Sequence, residues 1–150
     1  MSPSNRLVLT ASSEGSAMLW DILTCESVGV MHGHEGEVMD GCWLDDSTVV
    51  TAGNDGLLIS WHVHLESGAS RWNTFLGHES AVTCVVDTAR GTQVVSASYD
   101  KTIRVWEART AESLLVLAGH YGVVYGMAIA PDGRRLLSCS SDETLKVCRC

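Results

Sequence analysis

Short segments rich in β-branched and other apolar residues recur along the whole chain. Turn-forming sequences such as Asn54-Asp55-Gly56 and Pro131-Asp132-Gly133 separate them. No segment sustains a helical period of apolar positions. The pattern therefore predicts an all-β fold, with strands near residues 7–12, 17–21, 26–31, 38–44, 48–53, 57–62, 71–76, 82–87, 93–97, 103–107, 113–118, 123–129, 135–140 and 144–149.

A sequence repeat runs through these segments. His34, His78 and His120 each follow a glycine, and successive histidines lie 44 and 42 residues apart. A spacing of this size is typical of one four-stranded blade of a β-propeller. An acid stands six positions before each repeated tryptophan, and a hydroxyl stands four positions before each acid: Thr10, Glu14 and Trp20; Thr51, Asp55 and Trp61; Ser96, Asp100 and Trp106.

The repeated Gly-His pair, hydroxyl, turn acid and tryptophan resemble the WD-repeat (WD40) family over nearly the whole chain, in about three and a half repeats. Trp20-Asp21 keeps the signature dipeptide of that family, whereas Trp61-His62 and Trp106-Glu107 change its second member. The fourth unit keeps its serine and aspartate but has Cys148-Arg149 in place of the dipeptide. The resemblance implies a partial WD40-type propeller built of four-stranded antiparallel blades.

The blades of this partial propeller follow from the strand positions. We expect a partial first blade over residues 1–31, complete blades over 32–76 and 77–118, and a partial fourth blade over 119–150. An open arc would leave sheet edges unpaired. We therefore expect a fragment or isoform of a larger propeller, whose ring is completed by missing sequence or by another chain. Two copies of this chain would not meet in the strand order that a closed ring needs.

The resemblance also implies a role for the recurring polar residues. In the family, an indole N–H binds the hydroxyl, the hydroxyl binds the imidazole, and the imidazole binds the turn carboxylate. We expect such structural tetrads here, complete in two blades and without the indole in the last: His34, Thr51, Asp55 and Trp61; His78, Ser96, Asp100 and Trp106; His120, Ser138 and Asp142.

Three alternatives give some of these residues a chemical role. Serine, histidine and aspartate together could form a hydrolytic triad, but a set that recurs three times and carries a tryptophan in two of them favours structure. The terminal Cys148-Arg149-Cys150 is similar to a prenylated ending, or is simply the degenerate tryptophan position. Metal ligation is a weak third interpretation of four histidines, His32, His34, His62 and His64. We predict no catalytic residue, cofactor or metal.

Charge and cysteine content narrow the class of protein. The 150 residues carry a net charge of −8, with ten acids and two bases in residues 1–75 and eight of each in 76–150. Neither half has the basic excess that nucleic acid binding needs.

The six cysteines form no CxxC pair, which favours reduced, buried thiols. With no secretory or membrane-spanning segment, we expect a soluble protein of the cytoplasm or nucleus.

One face of the arc is the predicted binding surface. In the family, the residues three and five after the Gly-His histidine and the residue before the turn acid line one face of the ring. These are Glu37, Met39 and Asn54; Ala81, Thr83 and Tyr99; Val123, Tyr125 and Ser141, with Tyr121 nearby. We expect the aromatic and apolar members to bind partner proteins or peptides. The alternative is that these side chains only pack between blades or cover an axial channel.

The sequence thus favours a non-enzymatic scaffold or adaptor that binds partners through its loop-rich face. The alternative is a regulatory or sensor propeller segment of a larger multidomain enzyme. Fold class alone does not decide between these two functions.

Overall fold

A computed structural model describes residues 1–88 and 91–149; Cys150 of the terminal Cys-x-Cys sequence lies outside this part. The prediction of an all-β fold with fourteen strands is confirmed, with strand bounds that differ from the predicted ones by at most three residues. The strands are β1 (Leu7–Ala11), β2 (Ser16–Asp21), β3 (Ser27–His32), β4 (Val38–Asp45), β5 (Thr48–Gly53), β6 (Leu58–His64), β7 (Gly68–Phe75), β8 (Val82–Asp87), β9 (Gln93–Ser98), β10 (Thr102–Glu107), β11 (Ser113–Ala118), β12 (Val124–Ile129), β13 (Arg135–Ser140) and β14 (Leu145–Arg149). Within the two described ranges, no helix has the length and apolar character needed to cross a membrane.

The strands pair with their sequence neighbours into four antiparallel sheets that follow one another around an unclosed ring. The first sheet has the order β1-β2-β3 and the second β4-β5-β6-β7. The third sheet has the order β8-β9-β10-β11 and the fourth β12-β13-β14. The three, four, four and three strands form the partial WD40-type propeller that the sequence predicted.

The turn between the second and third strands of the second, third and fourth sheets explains the recurring turn acid. The residue after the acid adopts a left-handed backbone conformation, with φ of 81° at Gly56, 70° at Lys101 and 65° at Glu143. Glycine takes this conformation without steric cost, whereas the other two residues are held in it by the surrounding hydrogen bonds. The tight turn directs the side chain of the acid toward the ends of the two strands that it joins.

Three apolar cores hold consecutive sheets together. Trp61 lies in the core between the first and second sheets, and Trp106 lies in the core between the second and third. Leu136 lies in the core between the third and fourth. The strand β5 is buried along its whole length because it has a sheet on both sides. In β13 only alternate residues are buried, because one face of the fourth sheet is uncovered.

Hydrogen bonds between the innermost strands reinforce these cores. The backbone N–H of Val85 donates to the Asp40 carboxylate at 2.9 Å, which joins the second and third sheets. The Thr83 hydroxyl donates to the carbonyl of Val124 at 2.5 Å, which joins the third and fourth. These bonds fix the angle between neighbouring sheets and so the relative positions of their loops.

The prediction of buried thiols is wrong for two cysteines. All five described cysteines are free, but Cys25 and Cys139 are exposed. Cys25 lies in the turn between β2 and β3 with a φ of 58°. Cys139 points to the uncovered face of β13. The prediction rested on cysteines that lie mostly within apolar segments, but Cys25 stands between Thr24 and Glu26, and Cys139 stands between Ser138 and Ser140.

Candidate functional site

The third sheet contains a continuous polar chain of four side chains. Nε1 of Trp106 donates to Oγ of Ser96 at 2.8 Å, and that hydroxyl is 2.7 Å from Nε2 of His78. Nδ1 of His78 is 2.7 Å from Oδ2 of Asp100. The indole can only donate and the carboxylate can only accept, so in the neutral imidazole Nδ1 carries the hydrogen and Nε2 accepts from the serine. Every member therefore has a partner.

The second sheet repeats this chain with threonine as the hydroxyl. Nε1 of Trp61 donates to Oγ1 of Thr51 at 2.9 Å, and this oxygen is 2.8 Å from Nε2 of His34. Nδ1 of His34 is 3.0 Å from each carboxylate oxygen of Asp55. The same residue types at the same spacing thus produce the same geometry in two sheets.

The fourth sheet keeps three of the four groups. Nε2 of His120 is 2.9 Å from Oγ of Ser138, and Nδ1 is 2.9 Å from Oδ2 of Asp142. Cys148 stands where the other sheets have tryptophan, and its Sγ lies 3.8 Å from the carbonyl of Leu136. This sheet therefore has the polar chain without its indole donor.

The turn carboxylate also ties two loops together. Oδ2 of Asp100 accepts from the backbone N–H of Glu79 at 3.1 Å, and Oδ1 accepts from the backbone N–H and the hydroxyl of Thr102 at 2.8 and 2.6 Å. Burial opposes the ionisation of Asp100, but the hydrogen bonds from Thr102 and His78 outweigh it and lower its pKa to about 2. Burial lowers the pKa of His78, so the neutral imidazole is favoured.

Thr102 and its counterpart Thr144 were missed in the sequence. The Thr144 hydroxyl donates to Asp142 at 2.6 Å, and this bond is the largest cause of the lowered pKa of that carboxyl. The signal was present as the sequence Asp-x-Thr, in which the hydroxyl two residues after an aspartate returns to its carboxylate. The second sheet has Leu57 at this position and uses its backbone N–H alone.

The tetrad hydroxyls are enclosed by the protein. Ser96 is fully buried and Ser138 is 2% exposed. In the third sheet the serine oxygen also accepts from the indole of Trp106. A nucleophile must be open to its substrate, so the geometry around Ser96 fits polar groups that order a core rather than groups that attack a substrate.

The tetrads position the loops that the sequence singled out as a binding face. The residue before each turn acid donates its backbone N–H to the carbonyl of the residue three after the histidine. These bonds are 2.8 Å from Asn54 to Glu37, 2.9 Å from Tyr99 to Ala81, and 2.9 Å from Ser141 to Val123. The valines between the two predicted face positions, Val38, Val82 and Val124, are buried.

Two of the predicted face residues meet across sheets. The rings of Tyr99 and Tyr125 are 6.2 Å apart between centroids and cross at 90°, which is an edge-to-face contact. Tyr99 is 43% exposed and Tyr125 is 56% exposed, and Tyr121, four residues before Tyr125 in the chain, is 87% exposed. We call Tyr99, Tyr121 and Tyr125 the tyrosine cluster.

The other predicted face residues differ in how open they are. Glu37, Asn54 and Ser141 are exposed, and Met39 and Val123 are half-buried. Two members of the sequence-derived set are committed to the fold: Ala81 is 5% exposed, and Thr83 bonds to the fourth sheet through its hydroxyl. The structure therefore brings Tyr99 and Tyr125 together. In the third sheet, Tyr99 is the predicted face residue that is exposed.

The loops that carry the tetrad histidines and turn acids have mostly negative charge. Glu35 and Glu79 follow the tetrad histidines, Glu143 follows a turn acid, and all three are exposed. Lys101 is an exposed basic residue in the same set of turns. An apolar and aromatic centre with a polar rim is the usual anatomy of a protein-binding surface.

The four histidines that were considered as metal ligands have different surroundings in the structure. Nδ1 of His34 is bonded within its tetrad, and the His62 ring stacks on Trp72 with centroids 4.4 Å apart. His32 and His64 are exposed. Among residues 1–88 and 91–149, no group of three or more histidine, cysteine or acidic side chains has the arrangement to hold a metal ion.

Comparison with known proteins identifies the repeats. The family model described as "WD domain, G-beta repeat" matches residues 25–62, 70–107 and 111–148. These three segments end within one residue of Trp61, Trp106 and Cys148, the tryptophan positions of the repeat.

Several curated proteins are similar over most of the chain. Nuclear distribution protein PAC1-2 of Uncinocarpus reesii is 29% identical over 95% of this chain and 35% of its own length. Nuclear distribution protein PAC1 of Yarrowia lipolytica is 37% identical over 79% of this chain and 29% of its own length. Protein tipD of Dictyostelium discoideum is 28% identical over 97% of this chain and 24% of its own length. The chain spans about a third of the length of the first relatives it matches, 35%, 32% and 34%.

Proposed function

Because this chain belongs to the WD40 family, we propose that it is a protein-interaction scaffold whose partner binds across the tyrosine cluster and the loops around it. The observation that carries the proposal is the exposed edge-to-face pair of Tyr99 and Tyr125. Tyrosines supply a large apolar area and a polar hydroxyl with few rotatable bonds, which makes them frequent centres of binding energy.

The loops that carry these tyrosines are held in place before a partner arrives. The backbone of Tyr99 is bonded to Ala81, and the adjacent Asp100 is bonded to His78 and Glu79 of the neighbouring loop and to Thr102 of its own turn. A surface that is ordered in advance loses less conformational entropy on binding. The tetrads thus support a rigid platform, and the tyrosines on it provide the contacts.

The charge of the rim indicates the chemistry of the partner. Glu35, Glu37, Glu79 and Glu143 are exposed on the loops of this face, with Lys101 as the neighbouring basic group. A partner segment with an apolar or aromatic residue for the tyrosine cluster, flanked by lysine or arginine, complements this surface. The relatives named as nuclear distribution proteins show the family, and we propose the partner from the chemistry of this face.

Affinity capture with three matched variants tests this function. Tyr99→Ala and Tyr125→Ala remove the exposed rings, and Trp72→Ala removes an aromatic ring that is 37% exposed on β7 of the second sheet. We expect bound proteins that are retained by the parent chain and by Trp72→Ala but reduced at least about ten-fold by either tyrosine variant. An identical set of bound proteins on all four chains would contradict the proposal.

A further inference from the structure

Trp61 and Trp106 each fill the same kind of site against the preceding sheet. The ring of Trp106 meets Phe75 edge to face with centroids 5.8 Å apart, and shares its core with Leu58. A Cβ built on Gly77 would lie 3.2 Å from the Trp106 ring, so the indole packs closely over this glycine. The Arg104 guanidinium lies 5.8 Å from the centroid of the same ring.

The fourth sheet has the equivalent positions around an open cleft of about 330 Å³. Leu117, Gly119 and Ile103 line it, and they stand at the sequence positions of Phe75, Gly77 and Leu58 in the repeat. Lys146 lines it two residues before Cys148, as Arg104 stands two residues before Trp106. The walls of an indole site are therefore present beside a cysteine that is too small to fill it.

Two observations support the binding of a planar group in this cleft. One is the space beside Gly119, and the other is the acceptor capacity of Ser138. A Cβ on Gly119 would have no heavy atom within 4 Å, in contrast to Gly33 and Gly77, where the tryptophan ring lies 2.9 and 3.2 Å away. The hydroxyl of Ser138, which bonds to His120 and also lines the cleft, can still accept a second hydrogen bond. Its counterpart Ser96 uses that capacity for the N–H of Trp106.

We propose that this cleft between the third and fourth sheets is a binding site for an indole group. The ring lies between Ile103 and Leu117, its N–H donates to Oγ of Ser138, and the Lys146 ammonium adds a cation–π contact. Apolar cavities of roughly 150 Å³ already bind benzene, so a cleft of this size accommodates a bicyclic ring. A free indole compound and a tryptophan side chain of a partner share this chemistry.

Calorimetric titration of the chain with indole tests the site. We expect saturable binding to the parent chain at millimolar or lower concentration, and about five-fold weaker binding of benzothiophene, which has the same shape without the N–H donor. Absence of indole binding at millimolar concentration would overturn the proposal, and equal affinity for the two compounds would overturn the assigned hydrogen bond to Ser138.

Variants locate the binding in the cleft. Cys148→Trp supplies the chain's own indole, and Gly119→Val places a branched side chain in the open space; each is expected to abolish indole binding. Cys139→Trp is the matched control, because it adds the same ring to the exposed face of the same sheet. We expect it to leave the affinity unchanged. Undiminished binding to both Cys148→Trp and Gly119→Val would show that indole binds elsewhere.

A short extended peptide with one tryptophan, compared with its alanine version, identifies the source of the indole. Tighter binding of the tryptophan peptide than of free indole assigns the cleft to the side chain of a partner. Weaker binding assigns it to a small molecule. The near-ultraviolet circular dichroism of each variant reports whether the packed tryptophans of the other sheets remain ordered.

Discussion

The ring of Tyr99 in the third sheet meets the ring of Tyr125 in the fourth edge to face, with centroids 6.2 Å apart. Each ring remains about half exposed, at 43% and 56%. The pair therefore joins two sheets and at the same time offers an aromatic surface to solvent. Because the two rings join two sheets, their contact contributes to the free energy of unfolding even when no partner is bound.

A double-mutant cycle on stability measures that contact. We expect Tyr99→Ala and Tyr125→Ala to be coupled by about 0.5–1 kcal/mol in the free energy of unfolding, as is usual for an edge-to-face pair. Tyr121, which is 87% exposed, serves as the control. Tyr121→Ala should be additive with Tyr99→Ala, and strictly additive effects for all pairs would mean that the rings do not interact.

Replacing the tetrad serines should have unequal effects. Ser96→Ala leaves both Nε1 of Trp106 and Nε2 of His78 without a partner, whereas Ser138→Ala leaves only Nε2 of His120 without one. Because each stranded buried group costs about 1–3 kcal/mol, we expect Ser96→Ala to lower the free energy of unfolding by about 1–2 kcal/mol more than Ser138→Ala. Urea denaturation measures both.

The exposed Ser67 provides the control for this comparison. Ser67→Ala should stay within about 0.5 kcal/mol of the parent chain. A larger loss from Ser138→Ala than from Ser96→Ala would contradict the role given to the indole.

Acid should destabilise the chain in two stages. Burial lowers the pKa of His78 below its ordinary value of 6.5, so the unfolded state binds more protons as the pH falls below 6.5, and stability decreases. The pKa of Asp100 is about 2 instead of 3.8, because its hydrogen bonds outweigh its burial, so further stability is lost between these two values.

Two aspartate variants separate the second stage from general acid effects. Asp100→Asn should remove the part of the stability change between pH 3.8 and about 2 that Asp100 contributes, whereas the part due to Asp142, whose pKa is also lowered, should remain. Asp132→Asn changes a carboxylate that is 49% exposed in the turn between β12 and β13 and should retain the change. Urea unfolding across the pH range checks both, and equal profiles for the two variants would refute the role of Asp100.

Thiol reactivity should follow burial. Burial, aided by the negative charge of Asp40, raises the pKa of Cys84 to about 12, and burial also raises the pKa of Cys42. We expect iodoacetamide to label exposed Cys25 and Cys139 at least about a hundred-fold faster than these two, because the thiolate is the reacting form. Mass spectrometry of native and unfolded chains measures this, and rapid native labelling of Cys84 would contradict the packing of β8.

Local sequence was sufficient to predict the strands, because turns such as Asn54-Asp55-Gly56 are encoded within a few residues. The pairing of Tyr99 with Tyr125 depends on the angle between two sheets, and that angle is set by distant contacts such as the bond from Thr83 to Val124. The family resemblance assigned both Ala81 and Thr83 to the binding face, but it does not show that Ala81 is covered and that the Thr83 hydroxyl bonds to the fourth sheet.

The same limit applies to the last sheet. The replacement of tryptophan by Cys148 is visible in the sequence, but a smaller residue can be compensated by the collapse of its neighbours. The open space beside Gly119 and the arrangement of Leu117 and Ile103 required the structure. Similarly, the exposure of Cys139 depends on which face of β13 has a neighbour.

Site-specific photo-crosslinking tests the central claim most directly. A photoreactive phenylalanine analogue replaces Tyr125 in the tyrosine cluster, and the same analogue replaces Trp72 on β7 as the control. We expect crosslinks from position 125 to one partner segment that contains an apolar or aromatic residue flanked by lysine or arginine, with none to that segment from position 72. Crosslinks to the same proteins from both positions, or none from position 125, would contradict the assignment of this face as the binding surface.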